Sequence, residues 1–71
     1  MKLYEAMIKV LKANGNKPMT IEEIAFAINQ QNLYIKRDGS RISAYNVGLR
    51  AISDISKGTK PVFDVLIKIR D

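Results

Sequence analysis

A chain of 71 residues has room for one small core and no second lobe, and buries only about 60% of the surface its unfolded form exposes. Hydrophobic residues at 46% are ordinary for a globular protein and do not suggest disorder, and the absence of both cysteine and histidine excludes disulfides, thiolate chemistry and the usual zinc sites. The seven acidic residues are scattered, so no metal or cofactor is expected, while the net charge of +5 and pI near 9.8 favour an anionic partner, nucleic acid first.

At the N-terminus, Lys2 and Glu5 interrupt any long apolar run. No stretch approaches the roughly 20 apolar residues that cross a bilayer, so the chain reads as soluble and cytoplasmic, with no membrane partner. From Leu3 to Asn14, Leu3, Tyr4, Met7, Ile8, Val10 and Leu11 share one face of an amphipathic helix, and Asn14-Gly15 supplies residues that tolerate a left-handed stop. The segment Met19-Thr20-Ile21-Glu22-Glu23-Ile24 reads as a capping box, with Thr20 as N-cap and Glu23 reaching back to it. A second helix follows to about Gln30, burying Ile21, Ile24, Ala25 and Ile28. Phe26 points away from that stripe and is expected to pack beneath the segment from Leu33 to Ser40, although exposed aromatics also mark contact surfaces.

Leu33-Tyr34-Ile35 has strand character, and Lys36-Arg37-Asp38-Gly39-Ser40 carries an Asp-Gly turn signal, so a basic hairpin or extended loop is expected. Ser43 then opens a third helix over Ala44 to about Ile55, with Ile42 stapled to Val47. After the polar breaker from Ser56 to Pro61, Phe63, Val65, Ile67 and Ile69 alternate as one face of a strand, for which Leu33 to Ile35 is the expected partner. The sequence predicts a single domain over residues 1–71, mainly α with a small β wing.

Three helices and a strand, with Pro18-Met19-Thr20-Ile21-Glu22-Glu23-Ile24-Ala25 leading into the second helix, the Leu33 to Ser40 insertion, and a third helix opened by Ile42-Ser43, resemble the HARE-HTH family of winged helix-turn-helix domains. The resemblance runs from Tyr4 to Val65. It implies a three-helix winged helix-turn-helix without catalytic activity, a module found within larger proteins that act on DNA or chromatin, including restriction enzymes and an accessory subunit of bacterial RNA polymerase. One departure stands out: a wing normally needs two strands after the third helix, and here there is one. Either the wing borrows Leu33 to Ile35, or the chain is part of something longer.

On the third helix the residues Val47, Gly48, Ala51, Ile52 and Ile55 form the expected core face, leaving Asn46, Leu49, Arg50 and Ser53 opposite. Asn46 and Arg50 are the candidates for base reading in a major groove, because Asn pairs with adenine and Arg with guanine through two hydrogen bonds each. Tyr45 could donate its hydroxyl to a phosphate or simply pack at the core margin. Lys36, Arg37 and Arg41 before the helix, with Lys57 and Lys60 after it, bracket it with cations suited to phosphates. Glu22 and Glu23 sit about 100° apart on their helix and do not converge, so acid-base catalysis is not expected and neither is a small-molecule substrate. The expected partner is double-stranded DNA. The alternatives are a protein partner or second copy docked on the third helix through Leu49, Tyr45 and Arg50, or a structural subdomain of a larger enzyme that binds neither.

Overall fold

The computed structural model describes residues 1–68. The elements run α1 (Leu3–Ala13), β1 (Met19–Thr20), α2 (Ile21–Gln30), α3 (Ala44–Lys57), α4 (Pro61–Leu66) and β2 (Ile67–Lys68). The first three long helices are those the sequence predicts, α3 continuing two residues past the expected Ile55.

Each helix starts and stops for local reasons. α1 buries Ala6, Met7, Val10 and Leu11 and ends in a turn where Gly15 and Asn16 take positive φ, 71° and 58°, with the Asn16 N–H donating back to the Leu11 carbonyl at 3.0 Å. The capping box of α2 forms in both directions: the Glu23 N–H donates to Thr20 Oγ1 at 3.1 Å, and the Thr20 N–H donates to Glu23 Oε1 at 2.9 Å. The cap of α3 repeats this with Ser43 and Asn46, where an asparagine carbonyl takes the place usually held by Glu or Gln. Gly58, at φ 69°, closes α3 in the left-handed conformation that side chains with a Cβ resist.

The helices meet over one core in which Met7, Leu11, Ile24, Ile28, Val47 and Phe63 are the largest fully buried side chains. α2 and α3 approach closely at Gly48, where an added Cβ would lie 3.4 Å from Ile21 Cδ1. The insertion between them is tied down at its ends: the Leu33 N–H donates to the Ile28 carbonyl at 3.0 Å, and Asn29 Nδ2 donates to the Ile42 carbonyl at 2.8 Å. The Asp-Gly signal is a turn, with Gly39 at φ 86° and the Lys36 N–H donating to the Ser40 carbonyl at 3.0 Å. It joins no strands, however, and Leu33 to Ile35 is extended loop.

The wing is the main correction. The expected strand from Val62 to Ile69 is a short helix, α4, followed by the two residues of β2, with Ile69 outside the described residues. Its partner is β1 rather than Leu33 to Ile35, and the pairing is parallel, Met19 opposite Ile67 and Thr20 opposite Lys68. The segment carries two competing patterns. Alternation would bury Phe63, Val65 and Ile67, whereas helical spacing buries Phe63, Leu66 and Ile67, and the buried set is the second one. Pro61 decides in favour of the helix, because at the first helical position its fixed φ is preorganised and its missing N–H costs nothing. The fold class is that of a three-helix winged helix-turn-helix, mainly α with a small β wing, to which α4 is added. Among the described residues no helix is long and apolar enough to cross a membrane.

Candidate nucleic-acid interface

α3 stands with one side in the core and the other in solvent. Val47, Gly48, Ala51 and Asp54 are buried, while Tyr45, Leu49 and Ile52 are 71%, 50% and 48% exposed. With Ser56, those three fall within about 60° of arc at 100° per residue, so they form the outermost stripe of the helix. Ile52 therefore leaves the core face to which its hydrophobicity assigns it. Ile55 remains half-buried against the core.

Asn46 and Arg50 lie together on one flank of that stripe, and both are engaged within the domain. Asn46 Oδ1 accepts from the Ser43 N–H and from Ser43 Oγ, each at 3.0 Å. Arg50 Nη2 donates to Ser53 Oγ at 3.1 Å and to Asp54 Oδ1 at 3.0 Å. Asp54 is only 5% exposed; its Oδ1 also lies 3.4 Å from Thr59 Oγ1, and its Oδ2 is buried without a partner among the described residues. Asp54 thus joins the middle of α3 to the turn that ends it. The sequence signal for this pair is the i,i+4 spacing of Arg50 and Asp54. Replacing Asp54 by Ala is expected to lower stability by about 1 to 3 kcal/mol, since Arg50 loses its charged acceptor but keeps Ser53 Oγ and reaches water through its partly exposed end. A chemical-denaturation curve superimposable on the parent's would show that the pair contributes nothing.

Of the bracketing cations, Arg37, Arg41 and Lys57 are exposed and Lys36 and Lys60 half-buried. Lys60 Nζ sits 4.3 Å from the centroid of the Tyr4 ring, which fixes its direction without neutralising it. Arg41 Nη1 donates to the Asn29 carbonyl at 3.3 Å. Asp38, the one carboxylate within the basic loop, is turned into its own turn: its Oδ1 accepts from Ser40 Oγ at 2.6 Å and from the Ser40 N–H at 2.9 Å. These bonds, the hydroxyl's first, hold its pKa below the usual carboxylate value, and Lys36 adds to the effect. Phe26, at 68% exposed, does not pack beneath the insertion as expected; α2 turns it to solvent because Ile24, Ala25 and Ile28 already fill the face toward the core.

The family model for the HARE-HTH domain, whose description names ASXL and a restriction endonuclease HTH domain, matches residues 1–64. The chain belongs to the HARE-HTH family. No curated protein and no solved structure matches it. In this HARE-HTH domain the helix-turn-helix is α2 and α3, the 13 residues between the two helices hold the insertion, and the second helix of the motif carries the exposed stripe.

Proposed function

We propose that this HARE-HTH domain binds duplex DNA without catalysing a reaction on it, as a regulatory or targeting module of a larger DNA-acting system. The observation that carries the reading is the segregation of charge around α3. Between residues 24 and 60 six cations stand against two carboxylates, one of them buried on Arg50 and the other folded onto Ser40. The surface bracketing α3 is left to Lys36, Arg37, Arg41, Lys57 and Lys60, and such a surface gains affinity by releasing counterions from phosphates. Tyr45 and Ser53 add hydroxyls suited to the DNA backbone, and Leu49 an apolar contact suited to a thymine methyl.

Base reading by Asn46 or Arg50 has to compete with their internal bonds. A bidentate contact to adenine takes Asn46 Oδ1 from the α3 cap, and one to guanine takes Arg50 from Asp54. Phosphate contact has no such cost, and sequence-tolerant binding in the range of roughly 10⁻⁴ to 10⁻⁶ M at physiological salt is expected to dominate.

The test is salt dependence. Combining Lys36→Ala with Arg37→Ala should weaken binding to all duplexes about equally and flatten the log-log slope of affinity against salt by about one to two units. An unchanged slope removes the loop from the interface. The exposed stripe of Tyr45, Leu49 and Ile52 favours a second reading, docking of a protein partner on α3. That binding would depend little on salt and would be lost in Leu49→Ala.

A further inference from the structure

A cleft of about 590 Å³ lies between the start of α1, the stretch from Tyr34 to Arg37 and Arg50. Its size is that of small-molecule sites, which commonly span roughly 300 to 1,000 Å³. Three parts of the chain each send one cation into its wall, Lys2, Arg37 and Arg50, and among the described residues no carboxylate lines it. Glu5, the nearest acid in the chain to Lys2, is turned into the α1 cap, where its Oε1 accepts from the Lys2 N–H at 2.8 Å. Arg50 reaches the cleft already oriented by Ser53 and Asp54, which occupy Nη2 and leave Nη1 for another acceptor. Leu3, Tyr4 and Tyr34 supply the apolar and aromatic part of the wall. A wall of this kind asks for a ligand with an anionic end and a flat aromatic body, because the cations satisfy the first and the Tyr34 ring can stack on the second.

We infer that this cleft is a binding site for a nucleoside phosphate, its phosphate held by Lys2, Arg37 and Arg50 and its base against Tyr34, since the Tyr4 ring already carries Lys60. Free mononucleotides and the unpaired 5′-phosphorylated end of a strand share this chemistry. Arg37 and Arg50 are shared with the surface proposed for DNA, but the inference does not rest on that reading, because Tyr45, Leu49 and Ile52 of the exposed stripe do not line the cleft.

The test is an amide chemical-shift titration of the isotope-labelled domain with AMP, adenosine and inorganic phosphate. AMP should give saturable shifts centred on residues 2–4, 34–37 and 50, with adenosine and phosphate each weaker by about tenfold or more, since each keeps only half of the contacts. Arg37 is exposed and outside the core, so Arg37→Gln should fold normally and weaken AMP binding by about tenfold, the worth of one charge-assisted pair. Lys12→Gln, which removes the same charge at the far end of α1, should not change it. A 5′-phosphorylated tetranucleotide that binds more tightly than AMP assigns the site to strand ends, and one that binds no more tightly assigns it to free nucleotides. Phosphate binding as strong as AMP, shifts scattered over the basic surface, or equal losses in the two variants would overturn the inference.

Discussion

Ile24→Asp is expected to abolish the cooperative melt of the domain, whereas Ile52→Asp should leave it close to the parent. Ile24 is fully buried in the face that α2 turns to the core. An aspartate there loses about 2 to 5 kcal/mol of packing, and its carboxylate adds a desolvation cost of several kcal/mol with no partner nearby. At roughly 0.05 to 0.15 kcal/mol per residue a domain of this size holds only about 4 to 10 kcal/mol in total. The sum is comparable to or larger than that reserve. Ile52 has the same side chain but sits half in water on the outer stripe of α3, so the charge stays solvated. Circular dichroism melts of the two variants check the burial pattern directly, and equal damage from both would put Ile52 back in the core.

Phe63→Ala is expected to lower the midpoint of thermal unfolding by roughly 12 to 40 °C, with Val65→Ala close to neutral. Phe63 is fully buried and is the largest buried side chain of the domain, so its truncation should cost about 3 to 5 kcal/mol. In a domain of this size each kcal/mol is worth about 4 to 8 °C. Val65, two residues on, is 74% exposed. A strand would place both on one face and make both substitutions costly, whereas α4 sets them about 200° apart. Calorimetry of the pair thus separates the short helix from the strand that alternation suggests.

The long helices are legible in the sequence because their signals are local. Thr20 with Glu23, and Ser43 at the head of α3, satisfy backbone donors within one turn, and the apolar periodicity of α1 and α2 agrees with those caps. The C-terminal segment is less legible because two periodicities fit the same residues and the outcome depends on a tertiary partner, the two-residue β1. So short a strand leaves almost no pattern of its own. The same limit applies on α3. Hydrophobicity puts Ile52 with Ala51 and Ile55, but its angular position, about 20° from Tyr45 on the wheel, puts it with the exposed stripe. The basic loops are plain in the sequence; that Arg50 is spent on a buried Asp54 depends on how deeply α3 sits, and composition does not reveal that.

The most direct measurement of the proposed function is a titration of the isotope-labelled domain with duplex DNA at two salt concentrations, followed by amide chemical shifts. Binding through α3 predicts shifts at Tyr45, Leu49 and Ser53 and at the flanking Lys36, Arg37, Arg41, Lys57 and Lys60, with affinity falling steeply as salt rises, by a log-log slope of about −0.9 per phosphate contacted. Shifts confined to α1, or an affinity indifferent to salt, would contradict it.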